Sequence, residues 1–217
     1  MRACPLIDAA AALRGIRPAL VLRAYVGYVA LMRDITYPPV IAVARAAFKA
    51  MKLSFQTTGS GNIPTSGGAV LAFNHISYID FVFGGFSAQP SHRLVRFMAK
   101  RELFDHRVSG PLMRSLHHIN VDRSAGAASY RTALEYLRAG EVVGVFPEAT
   151  ISRSFELKEF KSGATRLAAS AKVPVVPVIL WGTQRMYTKD HARDFSRGQT
   201  VAPVSYTHLT LPTILLV

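Results

Sequence analysis

A chain of 217 residues, half of them hydrophobic, can bury one substantial core and at most a small appendage. With 26 Lys and Arg against 13 Asp and Glu it carries a formal charge of +13, so its surface seeks polyanions: nucleic acid, an anionic membrane, or phosphorylated or CoA-like substrates. A mean hydropathy of +0.21 is apolar for so basic a chain and favours lipid over nucleic acid, and the single cysteine, Cys4, excludes an intramolecular disulfide and a thiolate metal cluster and fits a reducing compartment.

The N-terminus does not read as a cleaved signal, because Asp8 and Arg14 interrupt its apolar stretch. From Leu20 onward the apolar runs are cut by Arg23, Arg33, Asp34 and Arg45, short of the roughly 18 to 20 residues that a membrane span needs. Residues 13–52 are expected to form two helices parted at Tyr37-Pro38-Pro39, since proline is tolerated in a first helical turn. On the second helix Arg45, Lys49 and Lys52 make a basic stripe beside Ile41, Ala44, Phe48 and Met51. Such a helix either lies in a lipid interface or packs on the main domain with a solvated basic edge.

After the loop Thr57–Gly61 the chain alternates apolar strands with helical stretches. Strands are predicted at 69–73, 94–99, 118–121, 142–146 and 175–180, and helices at 79–88, 107–116, 125–139 and 161–171. This alternation predicts an α/β domain with a mostly parallel sheet and flanking helices, preceded by the N-terminal helical pair, with ligands beyond the strand carboxyl ends. The expected organisation is a membrane-associating segment at 1–56, a catalytic α/β domain at 57–202 and a tail at 203–217. That tail, from Val204 to Thr213, resembles translated sequencing-adapter read-through, so the natural C-terminus is expected to be missing.

Three polar turns follow strands. The first, Asn74-His75-Ile76-Ser77-Tyr78-Ile79-Asp80, places a histidine past a strand end and a carboxylate in the next helical turn. A carboxylate can fix the tautomer of a histidine through one ring nitrogen and stabilise the imidazolium formed when the other takes a proton, although a loop histidine can equally be structural. In the second, Asn120 to Ser124, Arg123 and a helix N-terminus can meet an anion, or form an ordinary helix start with a solvated arginine. The third, Phe146-Pro147-Glu148-Ala149-Thr150-Ile151-Ser152-Arg153, places the Glu148 carboxylate where it can accept bonds from substrate hydroxyls or hold neighbouring cations. Val173-Pro174-Val175-Val176-Pro177-Val178 follows as a further strand.

In this order and at these separations the blocks resemble the glycerophosphate and lysophosphatidate acyltransferase family over roughly residues 50 to 185. That family's first block is N-H-x-x-x-x-D, matched by His75 and Asp80; its second ends in arginine, matched by Arg123; its fourth contains V-P-V-x-P, matched at Val173 to Pro177. The resemblance implies an O-acyltransferase of phospholipid biosynthesis in which His75 activates the acceptor hydroxyl and Asp80 orients it. It places Asn74, Ser77, Arg123, Glu148 and Thr150 in the substrate-binding set. The third block, usually F-P-E-G-T-R, has Ala149 for glycine and Ile151 for arginine, and isoleucine cannot replace a guanidinium fork. Arg153, or Lys100 with Arg101 at another strand end, are the candidates for the missing charge.

The implied partners are a lysophosphatidate-like lipid acceptor, an acyl thioester donor (acyl-CoA or acyl carrier protein, as co-substrate) and an anionic membrane surface, met peripherally on its cytoplasmic face, with no nucleic acid. Neither a metal nor a bound organic cofactor is implied, since the histidines lack ligand spacing. The oligomeric state is left open. The alternatives are an acyltransferase for another lysolipid or a glycolipid, or a non-enzymatic basic protein that binds membrane or nucleic acid.

Overall fold

The computed structural model describes residues 34–122 and 126–206. The chain divides into two units, residues 1–42 and 43–217, and the second carries a seven-stranded sheet. Helix α1 (Tyr37–Ala50) begins where Tyr37-Pro38-Pro39 predicts, with both prolines in its first turn. The first helix of the expected N-terminal pair, and Cys4, lie outside the described residues.

The elements then run β1 (Ser54–Phe55), β2 (Ala69–Phe73), α2 (Asp80–Ser87), β3 (Val95–Lys100), α3 (Arg101–Asp105), α4 (Ser109–Ser115), β4 (Ile119–Val121), α5 (Gly126–Arg138), β5 (Val142–Val145), α6 (Gly163–Ala171), β6 (Val175–Trp181), α7 (Thr183–Met186) and β7 (Thr200–Ser205). The strand order is β1-β7-β6-β2-β5-β3-β4, every pairing being parallel except β6 with β7. All five predicted strands and all four predicted helices of the domain form, with ends shifted by a residue or two. The sheet begins at Ser54, before the expected boundary at 57, and β7 carries it to Ser205, into the stretch set apart as a tail.

The central strand β2 is flanked by β5 and β6, and Val70, Leu71 and Phe73 are fully buried, as in a parallel sheet covered on both faces. Period-two alternation sends Ala69, Leu71, Phe73 and Val142 to one face with Phe83 and Met186. Val70 and Val143 go to the other, against Ala133 and Leu137 of α5 and Ala164, Leu167 and Ala168 of α6. Gly144 in β5 lets the sheet pack tightly, because a Cβ there would lie 2.7 Å from the Phe97 ring.

Two residues of the apolar arc of α1 pack on the sheet domain. Phe48 stacks on Phe83 with centroids 5.0 Å apart and meets Phe86 at 5.0 Å, and Met51 packs against the same core cluster. Both side chains are partly buried against the sheet domain. Arg45, Lys49 and Lys52 remain exposed, Arg45 reaching Gln89 Oε1 at 3.4 Å. Among the described residues no helix is long and apolar enough to cross a membrane.

Candidate functional site

The site grows from the carboxyl end of β2. Past Phe73 the chain leaves the sheet, and Asn74 fixes the exit: its Nδ2 donates to Leu180 O at 3.0 Å and its Oδ1 accepts from Leu180 N at 2.7 Å. Its amide is thereby built into the junction with β6. The chain then turns back on itself so that Asp80, at the start of α2, lies under His75.

Asp80 is fully buried and its carboxylate gathers four donors. Oδ2 accepts His75 Nδ1 at 3.0 Å, Ile76 N at 2.8 Å and Ser77 N at 2.7 Å, while Oδ1 accepts the Thr183 hydroxyl at 2.6 Å. Because a carboxylate only accepts, Nδ1 is the protonated ring nitrogen and Nε2 carries the lone pair. The His75 side chain is 21% exposed. Its ring stacks on Phe146 at 4.3 Å between centroids, so its plane is fixed from beneath by β5's outgoing loop. A partly exposed imidazole held by a buried carboxylate can take a proton from a substrate hydroxyl.

Glu148 is buried next to this dyad, and both its oxygens meet backbone: Oε1 accepts His75 N at 2.8 Å and Oε2 accepts Lys158 N at 3.1 Å. Ser152 N returns the link by donating to His75 O at 2.7 Å. Glu148 thus staples the His75 loop to residues 148–158. Ser77 is likewise turned inward, its hydroxyl donating to Tyr187 O. Ala149 occupies the left-handed region at φ 58°, which explains why glycine is the family's usual residue there.

Of the remaining expected residues, Thr150 is exposed and accepts Lys158 Nζ at 3.1 Å. Arg153 pairs with Asp190 at 2.8 Å, both being exposed. Lys100 is exposed at the carboxyl end of β3, while Arg101 beside it is held by Asp122 at 2.9 Å and Asp105 at 3.3 Å, and the Asp122 bond and both carboxylates raise its pKa. Arg123 lies outside the described residues. The structure therefore brings Asn74, His75, Ser77, Asp80 and Glu148 into one frame and leaves Lys100 and Arg153 at exposed positions outside its hydrogen bonds.

Sequence reasoning missed two contributors. Lys158 places its ammonium between Thr150 Oγ1 and Ile151 O, at 3.1 and 3.2 Å, beside the position where the third block lacks arginine. Thr183 follows Trp181-Gly182 as another polar residue just past a strand end, the same signal that marked the three earlier turns. Among the described residues no group of His, Cys, Asp and Glu could hold a metal ion.

A parallel α/β sheet with a His-Asp pair past its central strand defines a class, and comparison with known proteins supplies the family. The Acyltransferase family model matches residues 54–181, more than half of the chain, and the chain belongs to that family. It is 34% identical over 122 residues to the 1-acyl-sn-glycerol-3-phosphate acyltransferase of Bacillus subtilis (strain 168), covering 56% of this chain and 59% of that one. It is 34% identical over 158 residues to the enzyme of the same name from Limnanthes douglasii, covering 71% of this chain and 53% of that one. The crystal structure of the 1-acyl-sn-glycerophosphate (LPA) acyltransferase PlsC from Thermotoga maritima superposes with a TM-score of 0.61 at 27% identity, over 80% of this chain and 68% of that one. The chain thus spans between half and three-fifths of the length of these two curated relatives.

Proposed function

We propose that this chain transfers a fatty acyl group from a thioester donor to the free hydroxyl of a 1-acylglycerol-3-phosphate-like acceptor. The observation that carries the reading is the Nδ1–Oδ2 bond of 3.0 Å between a partly exposed His75 and a fully buried Asp80. His75 Nε2 removes the hydroxyl proton as that oxygen attacks the thioester carbonyl. The C–O bond forms, the C–S bond breaks, and the proton leaves with the thiol. Asp80 holds the tautomer and balances the imidazolium. General-base help of this kind is worth roughly 10²- to 10⁴-fold, and the rest of the acceleration comes from holding two amphiphiles in line. No step needs a metal or a bound organic cofactor.

For the acceptor phosphate we assign Arg123 and, at the third block, Lys158, whose ammonium is bonded to Thr150 Oγ1 and Ile151 O, beside the residue that replaces the family pattern's arginine. A lysine binds phosphate as a point charge without the bidentate fork, so Ile151 also favours a second reading: a lysolipid or glycolipid with a different headgroup. Either acceptor and either donor, acyl-CoA or acyl carrier protein, would be met at an anionic membrane surface to which the exposed Arg45, Lys49 and Lys52 contribute attraction.

The test is thiol release from acyl-CoA, and separately from acylated carrier protein, with and without lysophosphatidate, then with a panel of other lysolipids and glycolipids read by lipid mass spectrometry. Acceptor-dependent release that vanishes in folded His75→Ala supports the reading. Normal turnover in that variant, or the absence of any acceptor-dependent release, refutes it.

A further inference from the structure

The His75–Asp80 pair is held by a third side chain that none of the four sequence blocks contains. Thr183 is fully buried and spends its hydroxyl on Asp80 Oδ1 at 2.6 Å. We propose that Thr183 is a positioning residue of the dyad, acting through Asp80 on the tautomer and aim of His75; this rests on His75 being the general base.

The division of bonds on Asp80 makes the case. Ile76 N, Ser77 N and His75 Nδ1 all converge on Oδ2, and among the described residues the partner of Oδ1 is Thr183. The last torsion of an aspartate is soft, with broad wells. Three donors on one oxygen leave the carboxylate plane able to swing about that oxygen. A donor on the other oxygen stops the swing, and with it any drift of the oxygen that His75 Nδ1 needs.

The chain is shaped to deliver that hydroxyl. Gly182, directly after β6, has φ +101°, and a Cβ there would lie 2.2 Å from Thr200 O. Only glycine permits this turn, which makes Thr183 the first residue of α7 beneath the His75 loop. The turn is fixed further by Gly182 N donating to Gln184 Oε1 at 2.7 Å.

The rest of the segment does a different job. Tyr187 O accepts Tyr78 N at 3.0 Å and the Ser77 hydroxyl, and the Thr188 hydroxyl donates to Ile76 O at 2.5 Å. These bonds hold the backbone of the loop, whereas Thr183 reaches the carboxylate itself. Deleting the Thr183 hydroxyl therefore leaves the loop anchored and frees Asp80.

The experiment uses the full chain as Thr183→Val, which keeps the shape without the hydroxyl, with Thr183→Ser restoring the donor and Thr183→Ala as a second deletion. Acceptor-dependent thiol release gives kcat and KM, and ¹⁵N NMR of the His75 ring gives the share of the Nδ1–H tautomer. Losing a hydrogen bond to a charged group should lower kcat about tenfold to a hundredfold in Thr183→Val, with acceptor KM changed by less than about twofold. The Nδ1–H share should fall, and Thr183→Ser should recover most of both. Wild-type kcat in folded Thr183→Val overturns the proposal, as does a loss of kcat with the tautomer unchanged and no rescue by serine. Failure of both the Val and Ala variants to fold would place the hydroxyl in folding and also overturn it. If the wild type shows no acceptor-dependent release, the acyltransfer reading fails by itself, and the tautomer measurement still decides whether Thr183 sets the state of His75.

Discussion

Acidification should unlock the edge of the sheet through one residue, His118, which precedes β4. Its Nδ1 accepts the Phe97 backbone N–H at 3.1 Å, so the folded ring must keep that nitrogen unprotonated. Burial first, then the positive charges of Arg96 and His117, push its pKa down from 6.5 to about 4. Between those values the unfolded chain binds a proton that the folded chain refuses, so stability rises with pH there. The contribution is fully present above about pH 6.5 and is lost as the pH falls to about 4. At ~1.36 kcal/mol per pH unit the lowering corresponds to about 3 kcal/mol, a large share of the stability of a single domain. Urea unfolding of the wild type and of His118→Asn, whose side-chain oxygen can take the place of Nδ1 as acceptor, should be compared from pH 7.5 to 4. Subtracting the curves cancels the carboxylates common to both, and the wild type's advantage should shrink by about 3 kcal/mol on acidification. Parallel curves would refute the argument.

Three further outcomes follow from the same structure. Ala149→Gly should raise thermal stability by about 0.5 to 1 kcal/mol, because relief of the left-handed strain at φ 58° exceeds the added freedom of the unfolded chain; a lowered Tm would contradict this. Changing Arg45, Lys49 and Lys52 together to Gln should weaken binding to phosphatidylglycerol vesicles roughly a hundredfold at low salt, whereas Phe48→Ser should cost about 2 kcal/mol of folding stability through its lost stacking on Phe83, with little effect on vesicle binding. Glu148→Gln should cost about 1 to 3 kcal/mol, since an amide cannot accept from both His75 N and Lys158 N with its two ends; an unchanged Tm with a raised acceptor KM would instead support Glu148 in substrate binding.

Most of the sheet was legible because a parallel strand buried on both faces writes itself as a short apolar run, and β2, β5 and β6 all do so. Strands β1 and β7 were not: β1 has two residues, and β7, between β1 and β6, contains Pro203 and pairs antiparallel to β6, so neither shows a buried run. The His75–Asp80 contact was legible because both partners sit in one loop, within five positions. Thr183 was not, because its bond to Asp80 joins residues 103 positions apart, and only the return of β6 alongside β2 brings them together. Phe48 was ambiguous for the same reason. A helical apolar arc fits a lipid surface or a protein core equally, and only the fold shows that Phe83 and Phe86 lie against Phe48.

The two buried carboxylates divide one task. Glu148 and Asp80 together accept from the backbone amides of His75, Ile76 and Ser77, so every N–H along that stretch ends on a carboxylate oxygen and the loop has no amide left to rearrange around. A loop between strand and helix is ordinarily the mobile part of an α/β domain. Here its backbone is pinned by charge-assisted bonds from below, which leaves the imidazole lone pair as the part of His75 still available for chemistry. The match to the acyltransferase family in the third block is then a matter of scaffold as much as of ligand. With Ala149 in place of glycine and Ile151 in place of arginine, the carboxylate at 148 still accepts the His75 amide and holds the His75 loop.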